Sequence, residues 1–381
     1  MSYPEARETR FRLYPGEEVV AIGRHKLLTY YRAPRVFNLP LVVFVPGGGH
    51  LGRISYGYPE AKQSDFLAHW LEALGYGMLA VSYPRDEGSH QSNSGDLTVR
   101  EWGELTAIAT NRAIETHALT RNVIACAWSM GGRVARSLNM ALSAKSLQLE
   151  AFISLAATPP IPGLAPLDLT TVNVRYTGYI DFCAPKSGAR TYADVWEEDL
   201  RFQDAQEGRM IIPASVYREE FLAETPVSIR GESDRFADGR LYKSLAHAAS
   251  DMGTFNFPEW PIVGAIIPSS PRDAVHVLAD KARWTFFNTQ KLLADWQTPS
   301  VDFSALHPKE WQRLCEIVLS VGNRLTEHVP GNHFFFVGES GARQTAQSIF
   351  RLVQASSRLK KEISEVLDPS MRTHEQRYSV S

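Results

Sequence analysis

The sequence predicts an α/β architecture: a mostly parallel, twisted sheet flanked by helices and interrupted by a mostly helical insertion. Three observations predict it. First, the short apolar runs Leu39–Val45, Met78–Tyr83, Val123–Ala127, Ala151–Ala156 and Pro261–Ile267 carry no charge, as strands covered on both faces require. Second, stretches with apolar residues at helical spacing lie between them, and strands alternating with helices imply βαβ units. Third, the alternation fails over 158–257 and then resumes, so that segment reads as an insertion rather than a second domain.

The elements follow in order. Glu18–Ile22 and Leu27–Arg32 are strand-like and are separated by Gly23, Arg24 and His25. Leu39–Val45 is the next strand and ends in Pro46-Gly47-Gly48-Gly49-His50. A turn rarely needs three glycines, whereas a backbone cradle for an anion does. Residues 59–74 read as a helix with Phe66, Leu67, Trp70 and Leu74 on one side. Met78–Tyr83 is a strand, Pro84–Asp96 a polar loop, and Thr98–Thr116 a helix. Val123–Ala127 is a strand that runs into a helix over Gly131–Ser143, and Ala151–Ala156 is a strand that ends at Thr158. Within 158–257 the strand runs weaken while proline, tyrosine and charge increase, with Tyr176, Tyr179, Trp196, Tyr217 and Phe221 prominent. This segment is expected to be a lid over the strand ends, where open α/β sheets bind ligands. Pro261–Ile267 resumes the sheet. Helices follow at 277–294 and 307–320, then a last strand near Arg324–Val329 and a helix over 342–366. The expected core is therefore 15–157 with 258–367, and the polar end, 368–381, is expected to be disordered.

Composition narrows the function classes. The 381 residues are 44% hydrophobic and 22% charged, the balance of a folded globular protein. A net charge of −2 gives no general attraction to nucleic acid or anionic membranes. No apolar run approaches the ~20 residues of a membrane span, and Met1–Glu8 is too polar for a signal peptide. Cys126, Cys183 and Cys315 lack metal-ligand spacing and read as reduced thiols. A cytoplasmic protein with neither cofactor nor metal is expected.

Ser129 sits where the strand Val123–Ala127 gives way to helix, between the small residues Ala127 and Gly131. This is the small-x-Ser-x-Gly elbow, a turn sharp enough to expose the hydroxyl and crowded enough to demand small neighbours. The helix N-terminus there favours developing negative charge. A nucleophilic serine needs a base and a group that orients the base. Of the 11 histidines, His333 in Pro330-Gly331-Asn332-His333-Phe334-Phe335-Phe336 follows the last strand and is the best base. His50 and His90 lie near strand-end loops. Two residues compete for the acid. Asp273 follows the uncharged run Pro261–Ile267, whereas Asp234 follows the more polar Pro226–Arg230. A central strand should be apolar throughout, which favours Asp273.

The order Ser129, Asp273, His333, with a glycine-rich loop after the third strand, resembles the α/β-hydrolase superfamily over 15–157 and 258–367. The resemblance implies an α/β-hydrolase fold and an oxyanion hole. One donor would be the N–H of Met130, after the nucleophile. By alignment with the His-Gly-Gly-Gly loop of esterases and lipases, Gly48 and Gly49 would supply the other. Pro46 replaces that loop's histidine, and Ala127 replaces the first elbow glycine. The run from Gly331 to Phe335 is similar to the Gly-x-His-Phe-Phe end of stand-alone thioesterases of peptide and polyketide synthases. The leading expectation is hydrolysis of an ester or thioester through an acyl-enzyme on Ser129. The alternatives are acyl transfer from the same intermediate, or a binding protein on a hydrolase scaffold. The expected partner is a small-molecule acyl substrate, and the insertion's aromatic residues point to a bulky, partly aromatic one.

Overall fold

The structure, a computed structural model, describes residues 12–86, 91–184, 186, 190–297 and 301–367. The expected tail, 368–381, and His90 lie outside the described residues. An 8-stranded sheet runs through the molecule in the order β1-β2-β4-β3-β5-β6-β7-β8. Its strands are β1 (Glu17–Ile22), β2 (His25–Arg32), β3 (Leu41–Val45), β4 (Met78–Ser82), β5 (Asn122–Trp128), β6 (Gln148–Leu155), β7 (Val263–Ile267) and β8 (Thr326–His328). β1 and β2 form an antiparallel hairpin, β2 lies antiparallel to β4, and the remaining pairings are parallel. Besides a single turn at Ala214–Val216, the α-helices are α1 (Leu67–Ala73), α2 (Val99–Thr116), α3 (Ala135–Ser143), α4 (Tyr192–Glu207), α5 (Leu245–Met252), α6 (Ala274–Trp296), α7 (Pro308–Arg324) and α8 (Glu339–Leu367).

The uncharged strands follow from burial on both faces. Successive strand residues point to opposite sides. Val43 and Val45 therefore join Leu79, Val81, Ala125 and Ala127 in one core, against Trp102 of α2, Leu138 of α3 and Trp284 of α6. Val42 and Phe44 join Met78, Ala80, Ile124 and Cys126 in the other, against Leu67 of α1 and Ile349 and Leu352 of α8. A capping box starts α2: Thr98 Oγ1 accepts from Glu101 N–H at 3.2 Å, and Glu101 Oε2 accepts from Thr98 N–H at 2.9 Å. Such caps contribute about 1 kcal/mol.

Two helices begin later than their periodicity suggests. Residues 59–66 were expected within a helix, yet α1 starts at Leu67. Asp65 explains the difference. Its carbonyl accepts from Gly338 N–H at 2.8 Å, and its buried carboxylate pairs with Arg209 (Nη1–Oδ2 2.6 Å). Backbone committed to other segments cannot continue a helix. After β5, Ser129–Val134 forms a 3-10 turn before α3 proper begins at Ala135.

The segment 158–257 contains α4 and α5. It adds short strands at Asn173–Val174, Tyr179–Asp181 and Thr225–Pro226, and a hairpin of Asp234–Ala237 with Arg240–Lys243. Asp251, in α5, accepts from the N–H groups of Val99 and Arg100 at 3.0 and 2.9 Å. It thereby ties the segment to the N-terminus of α2. Among the described residues, no helix is long and apolar enough to cross a membrane.

Candidate active site

Four segments converge at the carboxyl ends of the parallel strands, where ligand sites of open α/β sheets lie. Ser129 directly follows β5 and has φ +54, in the left-handed region that non-glycine residues rarely occupy. Its neighbours must be small: a methyl group on Gly131 would lie 2.7 Å from the Val45 carbonyl oxygen. Among the described residues, Ser129 Oγ has no hydrogen-bond partner. A serine–base hydrogen bond is often long in an unliganded site and tightens when substrate binds.

The glycine loop after β3 is held by side chains from outside it. Tyr83 OH donates to the Gly47 carbonyl at 3.2 Å and accepts from His50 N–H at 3.2 Å. A trans peptide points its N–H opposite its carbonyl, so the Gly48 N–H is turned away from Tyr83. Gly48 lines a cavity with Ser129 and Met130, and a Cβ on Gly48 would sit 3.3 Å from Met130 Sδ. The N–H groups of Gly48 and Met130 both lack partners among the described residues. Gly49 departs from expectation. Its N–H donates to Thr225 Oγ1 at 2.8 Å, so it is spent on the scaffold and is not free to bind an oxyanion.

His50 fixes the next carbonyl. Its Nδ1 lies 2.9 Å from the Gly48 oxygen and its Nε2 lies 2.7 Å from Tyr217 OH. A carbonyl only accepts, so Nδ1 carries the proton and Nε2 accepts from the tyrosine. Burial pushes the His50 pKa down to about 3, with His333 adding to the effect and the Gly48 hydrogen bond opposing it. His50 is therefore a neutral strut.

The structure brings Asp273 and His333 together, with Asp273 Oδ2 2.8 Å from His333 Nδ1. Burial pushes the Asp273 pKa up, but the facing His333 and His276 outweigh it and hold the carboxyl below its ordinary value. Trp128, the residue before the elbow, donates its Nε1–H to the His333 carbonyl at 3.0 Å, and the two rings lie 5.2 Å apart. From α4, the Asp199 carbonyl accepts from Asn332 Nδ2 at 2.8 Å, and Gln203 Nε2 donates to the Phe334 carbonyl at 3.2 Å. Asp234 is not part of this group. It lies in the hairpin facing Lys243 at 3.7 Å.

A second histidine–carboxylate pair stands behind the first. His276 Nδ1 is 2.8 Å from Asp280 Oδ2, and the His276 ring lies 5.2 Å from that of His333. Asp273, His276 and His333 can bring one ligand atom each within 4.8 Å of the others, a spacing that could grip a metal ion. In the structure, the Nδ1 atoms of both imidazoles are occupied by carboxylates.

The cavity beside Ser129 has a volume of about 240 Å³. Of the aromatic residues singled out in the insertion, only Trp196 lines it. Tyr176 is exposed, while Tyr179, Tyr217 and Phe221 are packed inside. Phe182, Tyr192, Arg133 and Arg230 also line it and were not foreseen. Thr225, Tyr83 and the His276–Asp280 pair were missed as well, as was the contact of Tyr217 with His50. A tryptophan abutting the nucleophile was the one local signal available for Trp128.

A model of the alpha/beta hydrolase family matches residues 42–347. No curated protein matches the chain in sequence. Similar solved structures include a carboxyl esterase from Bacillus coagulans in complex with glycerol, at 13% identity over 89% of this chain and 97% of that one (TM-score 0.48). Est1E from Butyrivibrio proteoclasticus with ferulic acid bound is 12% identical over 91% and 99% (TM-score 0.42). A thioesterase domain from the curacin biosynthetic pathway is 14% identical over 88% and 98% (TM-score 0.40). None of these three reaches a TM-score of 0.5, and the family assignment rests on the family model.

Proposed function

Because the chain belongs to the alpha/beta hydrolase family, we propose that it is a serine hydrolase that cleaves an ester or thioester through an acyl-enzyme on Ser129. The observation that supports this reading is the 2.8 Å pairing of Asp273 with His333, whose carbonyl accepts from Trp128, the residue before a serine held at φ +54. His333 takes the Ser129 proton as Oγ attacks the scissile carbonyl, then delivers that proton to the departing alcohol or thiol. Asp273 accepts from Nδ1–H throughout, which fixes the tautomer and stabilises the imidazolium. The Gly48 and Met130 N–H groups receive the oxyanion, each worth about 3 kcal/mol in the transition state. Water activated by His333 then releases the acid and restores the serine.

The segment 158–257 acts as the lid in this reading, since Leu167, Phe182, Trp196 and Arg230 line the cavity together with Ser129. A volume of about 240 Å³ falls below the ~300–1,000 Å³ typical of drug-sized ligands, which favours a compact acyl group over a bulky one. The test is covalent labelling. A fluorophosphonate should add one adduct mass to the wild-type protein, on Ser129. Ser129→Ala should remain folded, take no label and lose turnover of p-nitrophenyl esters. Retained turnover in that variant would refute the proposal.

A further inference from the structure

Buried guanidinium groups in this protein are matched by carboxylates. Arg53 pairs with Glu17 at 2.7 Å, Arg235 with Asp251 at 2.6 Å, and Arg133 with Glu232. Arg230 is different. It ends the 3-10 turn Val227–Arg230, lines the cavity that holds Ser129, and donates Nη2 to the Ala165 carbonyl at 2.7 Å. Among the described residues, no carboxylate lies within ion-pair distance of it. Arg133 reaches the same cavity and keeps one donor unspent, its buried Nε. The one carboxylate paired in this cluster, Glu232, is fully engaged: it binds Arg133 and also accepts from the N–H groups of Gly163 and Ala165. Asp234 also favours the charged form of Arg230 but faces Lys243 at 3.7 Å, so the two guanidiniums and Glu232 leave a single positive charge without a contacting anion.

An uncompensated, half-buried charge is costly to keep. Burial pushes the Arg230 pKa down, with Glu232 opposing it, yet a guanidinium stays charged at any working pH. A cation retained at such a cost beside a nucleophile suits a ligand that brings the missing anion. We infer that the substrate is a compact ester or thioester whose acyl group ends in a carboxylate, bound by Arg230. This rests on the hydrolase reading above. One surplus charge matches a singly charged carboxylate better than a doubly charged phosphate, and the planar fork of arginine fits both carboxylate oxygens. The cavity's small volume puts the carboxylate a few bonds from the scissile carbonyl.

The experiment compares kcat/KM for p-nitrophenyl hemiglutarate with that for the neutral p-nitrophenyl hexanoate. Wild-type protein should favour the hemiglutarate. Arg230→Met should cut that selectivity ratio by about tenfold to a hundredfold, the scale of a charge-assisted contact. Arg230→Lys, which keeps charge but loses the fork, should cut it less. A wild-type ratio at or below one, or an Arg230→Met ratio within about twofold of wild type, would overturn the inference. Thermal melts report whether each variant is folded, and Arg230→Lys decides the matter if Arg230→Met is not. Calorimetry with free glutaramate, which carries a single carboxylate as the proposed acyl group does, separates the two readings. If fluorophosphonate leaves Ser129 unlabelled and neither ester turns over, the hydrolase reading fails, and binding alone judges the anion site. Tighter binding of glutaramate to wild type than to the Arg230 variants supports the site. Equal or absent binding overturns it, as does tighter binding of inorganic phosphate.

Discussion

Asp273 and Asp234 carry the same carboxyl group, and their surroundings separate them. Asp273 holds an imidazole Nδ1 at 2.8 Å, whereas Asp234 faces the exposed amine of Lys243 at 3.7 Å. Asp273→Asn is expected to lower kcat by about 10⁴-fold on p-nitrophenyl esters, because the amide favours the wrong tautomer. Asp234→Asn is expected to change it less than twofold, and the reverse pattern would exchange the two assignments. His50 yields a pH prediction. Its folded pKa of about 3 lies below the unfolded value of about 6.5. Below pH 6.5 the unfolded chain takes up a proton that the folded protein refuses, so stability falls on acidification by up to about 1.4 kcal/mol per pH unit. Urea titrations from pH 7 to 4 should show this slope reduced in His50→Gln, whose amide can replace both hydrogen bonds. The turn at Ser129 and the pairing of Asp273 with His333 were legible because motif, strand chemistry and chain order agreed on them. Thr225 was not, since nothing around it in sequence marks an acceptor for the Gly49 amide.

The glycine loop after β3 is shaped more by its supports than by its own composition. Three glycines signalled a backbone cradle, but which amides face the substrate depends on Tyr83, His50 and Thr225. Removing one support should therefore affect chemistry more than substrate binding. Thr225→Val orphans a buried N–H at a cost of about 1–3 kcal/mol and frees the Gly49 peptide to turn. Steady-state kinetics should show kcat reduced roughly tenfold with little change in KM. An equal rise in KM would mean that the threonine shapes the pocket instead. The central strands were readable from sequence because burial on both faces excludes charge. The start of α1 was not, because Asp65 takes part in contacts with Gly338 and Arg209, which lie far along the chain and leave no periodic trace.

At the scale of the whole molecule, the segment 158–257 is clamped to the core by residues that do not line the cavity holding Ser129. Asp65 is buried and pairs with the partly exposed Arg209 of the insertion. Asp65→Asn is expected to cost about 3 kcal/mol in urea denaturation, the low end for breaking a buried pair, and to expose 158–257 to limited proteolysis. Unchanged protection would show that the clamp lies elsewhere, for instance between α4 and the His333 loop. The contact between Trp128 and His333 joins residues 205 positions apart. During synthesis at roughly 5–20 residues per second, the elbow is therefore made about 10–40 s before its base. β8, three residues long at the sheet edge, leads into the loop that holds the proposed base, His333, and it pairs with β7, so it docks only after that strand is in place. Under the proposed mechanism, an unfinished chain thus lacks the base for Ser129 and forms no dead-end acyl adduct on the ribosome. In refolding, esterase activity should return after the far-ultraviolet dichroism of the sheet, which makes the chemistry a timer for the last strand to arrive.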